Sequence, residues 1–185
     1  LQWTHGSGRY QARLEGRVAG LSILQWTSLG STTGAGLAPD RFTDRRIGGR
    51  EQTVRFVRPE GVLQSTGGGD RPFPPDAQDR LSWMVQIAAI AQGLGRPLVD
   101  GERITMWVTD ARGHAQTWAF RADGRDSVSV AEGPPIPSVR LVREPLHPQD
   151  TRVEVWLDPA RDHLPVRAVV QSAGGDGRLE LTLRP

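Results

Sequence analysis

The chain has no cysteine, no lysine and no asparagine, and only one tyrosine. Without cysteine there is no disulfide framework, no thiolate nucleophile and no cysteine-ligated metal. That absence does not fix the compartment, since a chain of this length buries enough core to be stable without staples. Without lysine, all 23 basic residues are arginine, which reads first as GC-rich codon usage. The same absence explains a pI near 10.2 on a net charge of only +2. Few groups titrate in the alkaline range, so a small surplus moves the pI far without creating a strong positive field. The arginines alternate with Asp and Glu and form no basic stripe, which argues against a nucleic-acid partner. A long hydrophobic run is missing too. The longest, around Trp83 to Ala91, falls far short of the roughly 18 to 20 residues of a membrane span. The chain starts at Leu1 in residues that already pattern as strand, as expected of a processed or shortened chain that has lost a targeting or anchoring segment. Its 185 residues are expected to form one β-rich domain, 1–185.

What is present is period-two alternation. In residues 9–20, Tyr10, Ala12, Leu14, Gly16 and Val18 share one face and Arg9, Gln11, Arg13, Glu15 and Arg17 the other, which is a half-buried strand. After a turn at Gly20, residues 22–31 continue the pattern, with Leu24, Trp26 and Ser28 on one face. Residues 34–40 read as a loop ending near Pro39. Residues 41–47 and 52–57 read as a hairpin around Gly48-Gly49, followed by a short strand at 61–66. Gly67-Gly68-Gly69 and Pro72 to Pro75 break the chain and lead into one helix at about 77–93. In it Leu81, Met84, Val85, Ala88 and Ile90-Ala91 recur at helical spacing, with Trp83 and Ile87 beside them. Asp76 is expected as its N-cap and Asp79 at its third position, with Gly93, Gly95 and Pro97 ending it. Further strands are expected at 103–109, 114–121, 126–132, 138–143, 151–157, 166–172 and 178–184. Turns separate them, such as Asp110-Ala111-Arg112-Gly113 and Gly174-Gly175-Asp176-Gly177. The predicted fold is mainly β: a curved antiparallel sheet or open barrel of about ten or more strands wrapped around one main helix.

Candidate chemistry is thin. His5, His114, His147 and His163 stand at no metal-ligand spacing and read as loop and surface histidines, so no metal or other cofactor is expected. Gly6-Ser7-Gly8 lies between two strands with no helix behind it, so it is a turn and not a nucleophile elbow. The glycines of 30–36 lack the Gly-Lys-Ser/Thr of a phosphate loop. No catalytic residues emerge. Arg41, Asp44, Arg45, Arg46 and Arg50 form the densest cationic region, read as a solvated hairpin or as a site for an anionic glycan or lipid headgroup. Arg152 and Glu154 share a strand face and are expected to pair. Six tryptophans stand against four phenylalanines. Trp26, Trp107, Trp118 and Trp156 lie in strands and Trp83 in the helix. They either fill the core or line an apolar cavity; on the second reading Trp26, Trp83, Ile87, Trp107 and Trp118 are the candidate ligand-binding residues.

Several stretches resemble the DUF3108 family of bacterial envelope proteins. Gly36-Leu37-Ala38-Pro39 followed by Arg41-Phe42 is similar to its Gly-Leu-x-Pro element, and Gln78-Asp79-Arg80-Leu81-Ser82 to its helix start. Val155-Trp156-Leu157-Asp158 leading to Leu164-Pro165-Val166-Arg167 is similar to its closing hairpin. That hairpin also looks like the Trp-x-Asp and Leu-Pro-x-Arg element of LolA, LolB and RseB, half-barrels with a helix closing an apolar concavity. The resemblance implies a periplasmic location and no catalytic residues. Leu37, Pro39, Asp79, Ser82, Trp156 and Pro165 carry the motifs, and structural roles are expected of them: Pro165 at a strand's first residue or an edge, Pro39 holding an extended turn.

The function expected is therefore a non-enzymatic envelope module holding a lipid acyl chain or a partner's hydrophobic segment in a sheet–helix cavity. The alternative is an interaction scaffold with a filled core.

Overall fold

A computed structural model of the chain describes residues 1–18, 21–130, 133–148, 150–172 and 177–182. Among them the fold is mainly β, with two sheets and a single helix, and one of the sheets is curled into a half-barrel. The strands are β1 (Gln2–Gly6), β2 (Arg9–Val18), β3 (Leu21–Thr33), β4 (Gly36–Arg46), β5 (Gln52–Val57), β6 (Val62–Ser65), β7 (Arg71–Pro72), β8 (Gln78–Asp79), β9 (Arg103–Thr109), β10 (Ala115–Val128), β11 (Ile136–Arg143), β12 (Thr151–Asp158), β13 (Leu164–Ser172) and β14 (Arg178–Thr182). Helix α1 (Trp83–Gly93) lies between β8 and β9. The first sheet is a seven-stranded antiparallel meander, β1 to β7 in sequence order. The second runs β14-β13-β12-β11-β10-β9-β8. Two sheets replace the single sheet or barrel expected from the alternation. The proline-rich segment explains the interruption: β7 and β8 are two residues each, and Pro72, Pro74 and Pro75 have no N–H to extend a ladder.

The chain divides into two compact units, Leu1–Gln86 with Met106–Thr117, and Ile87–Thr105 with Trp118–Pro185. In the first unit, cross-strand register sets the core. Ala12, Ser28, Phe42 and Val54 stand opposite one another across β2 to β5, all buried. Directly opposed residues share a face, so this row is one continuous inner stripe. Tyr10 packs over Gly30 in the next row. There, an added Cβ would lie 2.6 Å from the tyrosine ring and 2.3 Å from the Ala38 carbonyl, so only glycine fits. Gly6-Ser7-Gly8 is a tight hairpin turn, with φ of 50° at Ser7 and 74° at Gly8.

Several boundaries differ from expectation. Residues 36–40 belong to β4, with Pro39 opposite Gly30 where the β3–β4 register slips between Leu29 and Gly30. Residues 115–128 form one long strand, β10, where two strands starting at 114 and 126 were expected, and the register slips between Ala122 and Arg125. The slip absorbs the turn signal of Asp123-Gly124, since a bulge can take the extra residues without ending the ladder. The turn at Gly20, the strand end at Glu132, the turn through Gly174, Gly175 and Asp176 and the strand end at Arg184 lie outside the described residues.

Helix α1 starts at Trp83, six residues after the expected point, because Gln78 and Asp79 are drawn into β8, parallel to Val108 and Thr109 of β9. Asp76 is therefore no N-cap, and Asp79 stands before the helix. Ser82 is the capping position: its carbonyl accepts from Val85 and Gln86 N–H at 3.1 and 3.0 Å. The Asp79 carboxylate accepts from Leu81 and Ser82 N–H, both at 2.8 Å, and sets a negative charge by the helix's positive end. The helix ends as expected, with Gly95 at φ 63° donating to the Gln92 carbonyl.

Candidate functional site

Asp79 has no exposed surface; Ser28 and Ser82 bond to it, and Tyr10 bonds to Ser28 in turn. Ser28 Oγ donates to Asp79 Oδ2 at 2.6 Å, and Tyr10 Oη lies 3.0 Å from Ser28 Oγ. Asp79 N–H donates to Ser82 Oγ at 2.9 Å. Burial strips water from the carboxyl and pushes its pKa up to about 6, against the lowering effect of these hydrogen bonds. Burial, helped by the charge on Asp79, raises the Tyr10 phenol as well. Tyr10 stacks on Trp3 at 5.0 Å between ring centroids. A serine, a carboxylate and a phenol gathered in this way invite a catalytic reading. Their burial refuses it, because no substrate reaches groups that expose 4% of their surface or less. The cluster ties the start of α1 to β2 and β3.

The Gly36 to Pro39 element serves the same end. Beyond the stretch of β4 that pairs with β5, its backbone groups are taken by side chains. Leu37 N–H donates to Gln86 Oε1 at 2.7 Å, and Leu37 carbonyl accepts from Gln78 Nε2 at 2.9 Å. Arg58 donates to the Pro39 carbonyl at 2.9 Å. Gly36 sits at φ 106°, a backbone conformation that L side chains rarely adopt, and an added Cβ would also push the Gln86 amide away from Leu37 N–H.

One cross-strand row further along, the inner face of the first sheet changes character. Leu14 and Trp26 are followed by Asp44 and Gln52. This row opens onto a hollow of about 350 Å³ lined by Trp26, Phe42, Asp44, Gln52 and four arginines, Arg46, Arg50, Arg80 and Arg112. Its volume sits at the small end of the range for small-molecule sites, roughly 300–1,000 Å³. Trp26 and Phe42 meet edge to face at 6.0 Å and form an aromatic floor. The buried indole N–H of Trp26 has no acceptor among the described residues.

In the second unit, the Trp156 hairpin is a turn device. Asp158 Oδ1 accepts from Ala160 N–H at 2.8 Å, and Leu164 N–H closes on the Arg161 carbonyl at 2.9 Å. Asp162 and His163 take left-handed φ of 51° and 57°, and His163 Nδ1 lies 2.9 Å from Gln92 Oε1. Trp156 donates its indole N–H to Asp126 at 2.8 Å and lies under the guanidiniums of Arg167 and Arg140, 4.6 and 5.7 Å from its ring. That hydrogen bond holds the Asp126 carboxyl below its ordinary range. Pro165 is the second residue of β13, not the first. It faces Leu157, where the β12–β13 register slips, a place where a proline is tolerated. Arg152 and Glu154 pair at 3.0 Å as expected.

A family model described as "Protein of unknown function (DUF3108)" matches residues 2–182. The chain belongs to the DUF3108 family. Its three DUF3108 motifs are thus two braces around the start of α1 and one capped turn. No curated protein and no solved structure matches the chain, and the likeness of its closing hairpin to LolA, LolB and RseB is not confirmed.

The five candidate cavity residues divide between the units. Trp26, Trp83 and Trp107 lie in the first, Ile87 and Trp118 in the second. Trp26 lines the hollow; Trp83, Ile87 and Trp118 are buried at 1% exposure or less, and Trp107 is half-buried. Arg143, within 4.7 Å of the Trp118 ring centroid, is itself buried in an ion pair with Asp150 at 2.7 Å. Of the histidines, His5, His114 and His147 are exposed as expected, whereas His163 is buried at the Asp158 turn. Among the described residues, no three His, Asp or Glu side chains gather closely enough to hold a metal ion. Sequence reasoning grouped Arg46 and Arg50 but missed Arg80 and Arg112, which join the hollow from distant segments. No local signal marks such a pair.

Proposed function

We propose that this DUF3108 chain is a non-enzymatic binding module of the bacterial envelope, working in the periplasm and taking a small amphipathic ligand in the hollow of its first unit. The observation that carries the reading is the hollow itself, about 350 Å³, where Trp26 and Phe42 stand among four arginines. The chemical cluster at Asp79 is closed, which favours binding over catalysis.

Tryptophan fluorescence of delipidated protein, titrated with a panel of fatty acids, lysolipids and alkyl alcohols, tests it. A saturable blue shift is expected, lost in Trp26→Phe with the melting temperature kept. No response from folded protein would refute ligand binding.

A second reading has its own support. Trp83, Met84, Ile87, Ala88 and Ala91 of α1 are each 3% exposed or less, which favours a filled core around the helix and a scaffold acting through open sheet edges. A silent titration together with recovery of one defined periplasmic partner would support it.

A further inference from the structure

The rim of the hollow is cationic, and its carboxylates do not cancel it. Four arginines line it against two aspartates, Asp44 and Asp110. Both acids are already engaged. Asp44 accepts from Arg46 Nε and Nη2 at 3.2 and 3.0 Å. Asp110 Oδ1 accepts from the backbone N–H groups of Arg112 and His114, both at 2.9 Å, and its Oδ2 faces His114 Nδ1 at 3.2 Å. Arg50 and Arg112 are left: both are exposed, and neither guanidinium has an acceptor among the described residues. They come from two separate turns of the first unit, β4–β5 and β9–β10. Two unspent guanidiniums above an aromatic floor match a ligand with an anionic head and an apolar body, since the guanidinium fork fits phosphate and carboxylate oxygens in pairs.

Building on the binding reading above, we infer that the hollow selects ligands with a phosphate or carboxylate head, held by Arg50 and Arg112, with the first carbons of the apolar part on Trp26 and Phe42. The volume of about 350 Å³ suits a head and a short stretch of chain, so the rest of a long acyl chain would lie outside.

The test compares octyl phosphate, 1-octanol and inorganic phosphate by calorimetry and tryptophan fluorescence, at low and at high salt. Octyl phosphate is expected to bind at least about tenfold more tightly than octanol, with the advantage shrinking at high salt. The double variant Arg50→Gln/Arg112→Gln is expected to lose that advantage. Arg41→Gln, an exposed arginine of β4 outside the hollow, is expected to keep it. Equal binding of both octyl compounds to the native protein would overturn the anion inference and leave the binding reading standing, as would a preference that survives the double variant. Inorganic phosphate binding as tightly as octyl phosphate, and lost in the double variant, would support the anion site and remove the apolar part. Binding of none of the three would overturn both.

Discussion

Asp79 makes the interior of the first unit sensitive to pH. Its carboxyl has an ordinary value of 3.8 and is raised to about 6 in the fold, chiefly by desolvation. The folded state therefore holds the proton more tightly than the unfolded chain. Asp79's contribution to stability is fully present below about pH 4 and is lost as pH rises through about 6. At 1.36 kcal/mol per unit, the full loss is about 3 kcal/mol, of which about 1.4 kcal/mol falls between about pH 5 and pH 7.5. Asp79→Asn removes the titration and keeps an acceptor for Leu81 and Ser82 N–H, while the Ser28 hydroxyl can turn to Tyr10. Urea unfolding of both proteins at the two pH values isolates the effect, because every other titrating group is common to both. The native protein should lose about 1.4 kcal/mol more than the variant over that interval. Parallel stability profiles would refute the reasoning and mean that the buried carboxyl is solvated or compensated in the fold.

Two further outcomes follow from packing. Gly30→Ala should destabilise by about 1–3 kcal/mol in thermal or urea unfolding, since its Cβ collides with Tyr10 and with the Ala38 and Pro39 backbone; an unchanged midpoint would mean that β4 can move away. Arg143→Ala should cost about 3–5 kcal/mol by leaving the buried Asp150 charge without its guanidinium, an effect that added salt does not reproduce; a loss of under about 1 kcal/mol would show that Asp150 is held well enough by its other donors.

Period-two alternation made most strands legible from sequence. Tyr10, Ala12 and Leu14 face inward as their spacing requires, and β9 coincides with its expected limits. The end of α1 was legible too, because Gly95 and Pro97 act locally on the backbone. Its beginning was not. Whether Gln78 and Asp79 join a helix or pair with Val108 and Thr109 depends on a strand about thirty residues away in sequence. The family motifs could be seen as patterns, but their work could not. Gln78 and Gln86 read as ordinary polar residues until the fold sets them beside Leu37, whose backbone lies beyond the stretch of β4 that β5 pairs with.

The candidate site divides in the same way. Sequence by itself determined a cysteine-free, arginine-only, mainly β chain with one apolar helix and no metal motif, because composition and local periodicity need no partner to be read. Only the tertiary structure decided which tryptophan faces a hollow and which arginines keep their charge unspent. Trp26 and Trp118 occupy similar strand positions in sequence, yet one lines the hollow and the other is fully buried. Arg50 and Arg112 meet in one rim because two hairpin turns converge there, and convergence of distant segments has no local signature.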